Sequence, residues 1–325
     1  MNPDIRFVCP AGIKHPELAK QLGAKIVRPF AGHLWEQLTL PMWLQRQGNP
    51  LLINLGNTGL LNYDEQIVTI HDMAFKVQPL WFARSFQLWY DYLIPRIANN
   101  SRLILTVSNS SKNDIVKFTK VDPEKIHVIY NAIPESFTKK FSEEGINISS
   151  LPEKYILYVG AINPRKNLAH MVEAYNLLQR EDVKLLMIGE EHASFADYQL
   201  QQLYKDKADI MLKSKLTDEE LICTYKRASA LINVSYHEGF GLPLLEAMHL
   251  GCPVICSDIP AYREIFGDAA ILVDPTSAEA IRNAINDVLN MNGALNSKIE
   301  KGKILASQFS YRRSAEKIIN CINNL

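Results

Sequence analysis

Long apolar runs are missing from this chain. None approaches the roughly 18–20 residues that a membrane-spanning helix needs, which argues against one. A surplus of one charge is missing too. Lys+Arg and Asp+Glu each number 35, for a formal net charge of zero. Nucleic acid is therefore not an expected partner, because binding it calls for a basic surface that releases phosphate counterions. The five cysteines (Cys9, Cys223, Cys252, Cys256 and Cys321) contain no CxxC pair. They read as structural rather than as a redox pair or a metal clip. Gly (15) and Pro (16) are too few for a fibrous or linker-rich protein. No repeat of solenoid period and no low-complexity tract is present. No GxGxxG follows an early strand, which disfavours a nicotinamide oxidoreductase. The opening MNPDIRFVCP carries an Asp and an Arg and no long apolar stretch. No secretory leader is expected from it, and the expected setting is the reducing cytoplasm.

What remains is ordinary globular material, 47% hydrophobic and 22% charged, which excludes wholesale disorder. At roughly 100–200 residues per domain, 325 residues imply two domains. Short Val/Ile/Leu-rich runs predict strands at 5–9, 51–54, 66–70, 102–108 and 125–131. In the second half they fall at 155–160, 183–189, 208–212, 230–235, 253–257 and 269–273. Most lack polar alternation, as strands covered on both faces do. Helical patterns lie at 16–22, 79–100, 109–118, 166–180, 217–228, 242–250, 276–291, 296–308 and 310–323. Strand–helix alternation of this kind predicts an α/β protein with parallel sheets and right-handed crossovers. The polar segment from about 135 to 153 shows no apolar period and reads as a domain boundary. The expected domains are 1–140 and 151–325, with the last helix packing back on the first.

The segment Ser235–Leu250, SYHEGFGLPLLEAMHL, is the richest in chemistry. A buried-type strand runs into a turn with Gly239 and Gly241, and a helix follows. Glycine lets a ligand approach the backbone, and Pro243 suits a first helical turn. The free N–H groups of such a helix start favour an anion such as a diphosphate. A plain strand-to-helix turn accounts for the same pattern. Glu238 and Glu246 bracket this turn with seven residues between them. Their carboxylates either accept from sugar and ribose hydroxyls or are a solvated helix residue and a cap neighbour. The run N163-P-R-K-N167 follows another predicted strand. Arg165 and Lys166 at a strand's carboxyl end, a fork beside a point charge, suit a diphosphate without any metal. His71 and Asp72 close the apolar run VTIHD at the edge where open α/β sheets bind ligands, which favours a functional role.

Taken together, YVGAINPRKNL, HEGFGLPLLEAM and GCPVICSDIPAYREI resemble the family-4 retaining glycosyltransferases. Glu238-x7-Glu246 matches that family's E-x7-E motif. The likeness extends through LWEQLTLP (34–41), VTIHD (68–72), ILTVSNSSKNDI (104–115) and KIHVIYNAIP (125–134). It implies the GT-B architecture, two Rossmann-like domains facing across a cleft. It also implies roles: Arg165 and Lys166 on the donor diphosphate, helped by the N–H groups of Phe240, Gly241 and Leu242. Glu246 would take the ribose hydroxyls and Glu238 those of the transferred sugar. The loop Lys213–Leu216 resembles the part that contacts the base. His71 would face the sugar from the opposite domain, positioning it rather than acting as general base. The family implies no metal or other cofactor.

Two departures stand out. Ala161 occupies a position where many members carry arginine, leaving the diphosphate to Arg165 and Lys166. The family's usual first strand and glycine-bearing loop are not seen, since 5–9 reads as its second strand. An N-terminal sheet without that strand must close a gap or leave backbone groups unpaired. The resemblance implies hexose transfer from a nucleoside diphosphate sugar to a glycan or lipid-linked acceptor in envelope polysaccharide synthesis. UDP-glucose or a similar UDP-hexose is the donor expected, with GDP-mannose the alternative, and the acceptor would bring peripheral membrane association. The readings from other classes are a nucleotide-sugar-binding protein impaired in catalysis by the short N-terminus, and a nucleotide-sugar epimerase.

Overall fold

The structure is a computed structural model that describes residues 5–139, 146, 151–190, 207–214, 216–290 and 294–325. Twelve strands among them form three wholly parallel sheets. A short pair, β1 (Val8–Cys9) and β2 (Lys25–Ile26), stands alone. A four-stranded sheet runs in sequence order through β3 (Leu52–Asn54), β4 (Gln66–Thr69), β5 (Leu103–Thr106) and β6 (Ile126–Val128). The second half holds β7 (Tyr155–Val159), β8 (Lys184–Ile188), β9 (Ile210–Lys213), β10 (Ala230–Asn233), β11 (Val254–Ser257) and β12 (Ile271–Val273). Their order across the sheet is β12-β11-β10-β7-β8-β9.

The lack of polar alternation has a direct structural cause. Along β7, Tyr155 and Leu157 enter one core, while Ile156 and Tyr158 enter the core on the other face. Leu186 and Ile188 of β8 likewise oppose Leu185 and Met187. Both faces are covered by helices, so the middle of each of these strands is apolar on both sides. The N-terminal sheet is built the same way. Val68 and Ile104 pack under the helices Arg84–Asn100 and Asn109–Thr119. Ile67, Leu103 and Leu105 pack on the other face against Ile318, Cys321 and Ile322 of the last helix, Tyr311–Asn323. The end of the chain therefore completes the core of its beginning.

Several expectations are corrected. The strand predicted at 5–9 is only Val8–Cys9, and the exposed strand Lys25–Ile26 carries no apolar pattern that would reveal it. The helical pattern at 79–100 is broken: a single 3-10 turn at Pro79–Trp81 precedes the helix Arg84–Asn100. The helix expected from 166 begins at Leu168, after a separate turn at Pro164–Lys166. Much of the expected boundary, 140–145 and 147–150, lies outside the described residues. Among the described residues no strand joins the β1–β2 pair to β3, so β3 is an edge of the N-terminal sheet. Its Ile53 and the following Leu55 are exposed.

Gly160 and Gly189 follow β7 and β8 at the same sheet edge. A Cβ on Gly189 would run into the Gly160 carbonyl oxygen, so a side chain there must force the two strand ends apart. Gly189→Ala is expected to cost on the order of 3 kcal/mol as overpacking against backbone. Gly267→Ala, which meets nothing within 4 Å at φ +43, should cost only about 1–2 kcal/mol from its backbone conformation. Urea unfolding of the two variants checks this ordering.

Candidate active site

From β7 the chain steps outward to β8 and β9, then returns to β10 on the other side of β7. The loops after β7 and β10 thus leave adjacent strands in opposite directions and open a crevice at their carboxyl ends. The first loop supplies the cations. Pro164–Lys166 forms one 3-10 turn, ended by Asn167 at φ 57. Asparagine tolerates that left-handed conformation. Its side-chain amide donates to the carbonyls of Val234 (2.9 Å) and Pro275 (2.7 Å). Tyr236 N donates to the Arg165 carbonyl at 3.0 Å, tying the two loops together.

Between the loops Glu238 accepts from both cations. Arg165 Nη1 donates to Glu238 Oε2 at 2.9 Å and to the His237 carbonyl at 3.0 Å, and Lys166 Nζ donates to Glu238 Oε1. Burial alone would raise the Glu238 pKa, but Lys166 and then Arg165 outweigh it and hold the carboxyl at about 2. Burial disfavours the Arg165 charge, yet Glu238 and Asp72 together raise its pKa above the ordinary value. The expectation for Glu238 thus gains a detail: both its oxygens are engaged by the cations in this structure.

The glycine turn lies beside this cluster. Phe240 is buried, and Gly241 takes φ +101 immediately before the helix Leu242–His249. A Cβ on Gly241 would come within 2.7 Å of Tyr262 Cε1, so both backbone and space require glycine. The N–H groups of Phe240, Gly241 and Leu242 donate to no acceptor among the described residues. Glu246 stands one turn into the helix, where its Oε2 accepts from the Tyr225 hydroxyl at 2.9 Å. Burial raises the Glu246 pKa, the Tyr225 hydrogen bond opposes this, and Asp218 adds to it. Burial also holds the Tyr225 pKa well above its ordinary value, so its hydroxyl stays a donor.

The N-terminal half closes the crevice. His71 follows β4, its N–H donating to Asn57 Oδ1 at 2.8 Å. A Cβ on Gly239 would lie 2.6 Å from the His71 carbonyl oxygen, and Asp72 Oδ2 is 4.0 Å from Arg165 Nη1. The structure therefore brings His71, Arg165, Lys166, Glu238, the Phe240–Leu242 backbone and Glu246 to one region from distant parts of the sequence. Lys213 ends β9 at the same sheet edge, two strands from β7. Leu216 packs against the adjoining core, while Lys215 of the same loop lies outside the described residues.

Other residues were not singled out by sequence. A cavity of about 210 Å³ adjoins Glu238, lined in part by Ser110, Asp114, Lys117, Tyr236 and His237. Asp114 Oδ2 is 3.8 Å from His237 Nε2, and burial raises the Asp114 pKa. Glu36 is buried on a π-helical turn, Trp35–Thr39, and accepts from Thr58 Oγ1 and Asn54 Nδ2. Asn167 had a readable signal, an asparagine ending a turn. Tyr225 and Asp114 had none, because their partners lie in other elements. Among the described residues no cluster of three or more His, Cys, Asp or Glu is placed to hold a metal.

Removing the Glu238 charge should leave two largely buried cations without their counter-charge. Glu238→Gln is expected to cost about 3–5 kcal/mol at neutral pH, as breaking a buried pair does. Because the folded pKa lies below the ordinary 4.5, this stabilisation is complete above pH 4.5 and declines as pH falls toward about 2. Urea titrations of wild type and variant across that range should show their difference shrinking on the acid side.

Comparison with known proteins gives this geometry a family. Residues 140–304, just over half of the chain, match the family model described as glycosyl transferases group 1. Residues 62–137 match the one described as glycosyltransferase family 4. The O-antigen chain mannosyltransferase B of Escherichia coli is 27% identical over 265 residues, covering 79% of this chain and 70% of that protein. The O-antigen chain mannosyltransferase RfbU of Salmonella typhimurium is 29% identical over 278 residues, covering 83% and 73%. In fold, the chain is similar to Anabaena HepE, crystallised with UDP and glucose: TM-score 0.76, 18% identity, 98% of this chain and 92% of that one. Sucrose-phosphate synthase from Thermosynechococcus elongatus gives a TM-score of 0.72 at 18% identity, over 93% and 82%. The chain belongs to the group 1 glycosyl transferases, family-4 enzymes of GT-B fold.

Proposed function

We propose that this chain is a retaining mannosyltransferase that moves mannose from GDP-mannose to a glycan or lipid-linked acceptor during surface polysaccharide synthesis. The observation that carries this reading is the convergence of Arg165 and Lys166 with the N–H groups of Phe240–Leu242, which have no acceptor among the described residues, at the switch point. The mannose assignment rests on relatives such as the O-antigen mannosyltransferases of 27% and 29% identity. It replaces UDP-glucose as the favoured donor. HepE, crystallised with UDP, shares only 18% identity and bears on the fold alone.

In this reading the donor diphosphate joins Glu238 as a counter-charge of Arg165 and Lys166, and these N–H groups bind its oxygens. Leaving-group charge is then stabilised by cations and backbone dipoles, with no metal called for. Glu246, held by Tyr225, takes the ribose hydroxyls. Glu238 and His71 place the mannosyl ring from opposite sides, and the leaving phosphate helps take the acceptor proton. No described helix is long and apolar enough to cross a membrane. A lipid-linked acceptor would bring the protein to the cytoplasmic membrane face as a peripheral partner.

Thermal unfolding with saturating GDP, UDP or ADP tests the donor. GDP at 100 times its dissociation constant adds about 2.7 kcal/mol. A shift with UDP alone would restore the UDP-hexose reading, and mass-spectrometric detection of a mannosylated acceptor completes the test. A GDP shift without product, acceptor present, would favour the non-catalytic binding protein. Glu246→Ala should weaken GDP binding by roughly 10- to 150-fold, the loss of a charged acceptor being worth roughly 1.5–3 kcal/mol. Lys166→Ala should lower kcat more than it raises KM. Transfer should persist in EDTA, and its complete loss would reject the cation-only account.

A further inference from the structure

We infer that Glu264 is a positioning residue that holds the two halves of the molecule in the arrangement needed for transfer. The helix Asn109–Thr119 belongs to the N-terminal half, and its first N–H groups have no partner within the helix. Ser108 caps it, its hydroxyl accepting from Ser111 N at 3.0 Å. The next two donors are satisfied from the other half of the chain. Glu264, on the short helix Pro260–Ile265, accepts from Asn109 N at 2.7 Å and from Ser110 N at 2.9 Å. Its Oε1 also accepts from Asn109 Nδ2 at 3.0 Å and from the Tyr130 hydroxyl at 3.1 Å.

Four donors thus converge on one side chain. A carboxylate accepts and does not donate, which suits this set: three donors meet on Oε1 and one on Oε2. It also lies at the positive end of the helix dipole. Neither Asp, one methylene shorter, nor Gln, which presents an N–H₂ to N–H groups, reproduces the match. Tyr130 is gripped a second time, its carbonyl accepting from Ser314 Oγ of the last helix at 2.8 Å.

The grip reaches the site through the helix it caps. Ser111, in the first turn, stands against the glycine turn: a Cβ on Gly239 would lie 3.2 Å from Ser111 Oγ and 2.6 Å from the His71 carbonyl oxygen. Anchoring that first turn therefore fixes His71 and Asp72 against Glu238 and Gly239. Glu264 itself bonds to none of the cation-site residues. The effect on transfer rests on the proposed function; the effect on domain arrangement does not.

The full chain with E264A, E264Q, E264D and Y130F separates these. Small-angle scattering without ligand should give a larger radius of gyration for E264A and E264Q than for wild type, with E264D and Y130F between. GDP affinity should stay within about twofold, because the cation cluster and helix Leu242–His249 lie within the C-terminal half and do not depend on the contact of Glu264 with Asn109, Ser110 and Tyr130. Transfer should lose tenfold or more in kcat in E264A and E264Q, with donor KM within about twofold and partial recovery in E264D. Should E264A fail to fold, E264Q and Y130F carry the comparison. Scattering curves of E264Q and Y130F that superimpose on wild type would overturn the inference, as would unchanged kcat in E264Q. If wild type binds no nucleotide, the proposed function falls, while the ligand-free scattering still decides on Glu264.

Discussion

The buried carboxylate of Glu238, held between Arg165 and Lys166, is the interaction on which the surrounding structure depends. Three charges sit with little exposure to water, and such charges persist only when paired and hydrogen-bonded. The pairing requires the loops after β7 and β10 to meet, which the strand order makes possible by placing these strands side by side. Asn167 fastens one loop to the other strand, and Tyr236 N fastens it again. Glu238 engages both cations directly, and Asp72 stands farther off, 4.0 Å from Arg165. A diphosphate bound as proposed would meet cations already held in place and would share them with Glu238.

Around that cluster the two halves are knitted at several points. The last helix returns to cover the N-terminal sheet, and its Ser314 donates to the Tyr130 carbonyl. Glu264 crosses in the opposite sense to the start of the helix Asn109–Thr119. His71 and Gly239 approach so closely that a methyl group would not fit between them. These polar contacts sit beside apolar ones: Ile318 and Ile322 of the last helix pack on the N-terminal sheet, and Val107, Ile133 and Phe137 join the C-terminal core. The N-terminal half is the looser part of the architecture. Its β1–β2 pair is separate from the four-stranded sheet, and Phe7, Leu38, Met42 and Ile53 remain exposed.

Much of this was legible in the sequence, for reasons visible in particular elements. The strands β4, β5, β7, β8, β10 and β11 were found within one or two residues at each end, because burial on both faces leaves an unbroken apolar run. The turn Glu238–Leu242 was legible because a positive φ and a close approach both demand glycine, and Pro243 follows naturally. The weak elements were missed for equally physical reasons. Lys25–Ile26 is an exposed two-residue strand without periodicity. The helical stretch Gly32–Arg46 passes through a π-turn that shifts its apolar stripe out of phase. Phe82 and Ala83 interrupt a pattern that continues on either side of them.

By itself the sequence determined the strand–helix alternation, the two phosphate-suited loops and the family, because these depend on short-range spacing and residue type. Only the tertiary structure decided who pairs with whom. That Glu238 neutralises Arg165 and Lys166, that Tyr225 holds Glu246, and that Glu264 caps a helix 155 residues away all depend on the order of strands in a sheet. Local sequence carries no record of that order. It is set by how the whole chain buries its apolar faces, and the charges then find their partners at the edge where the strands end.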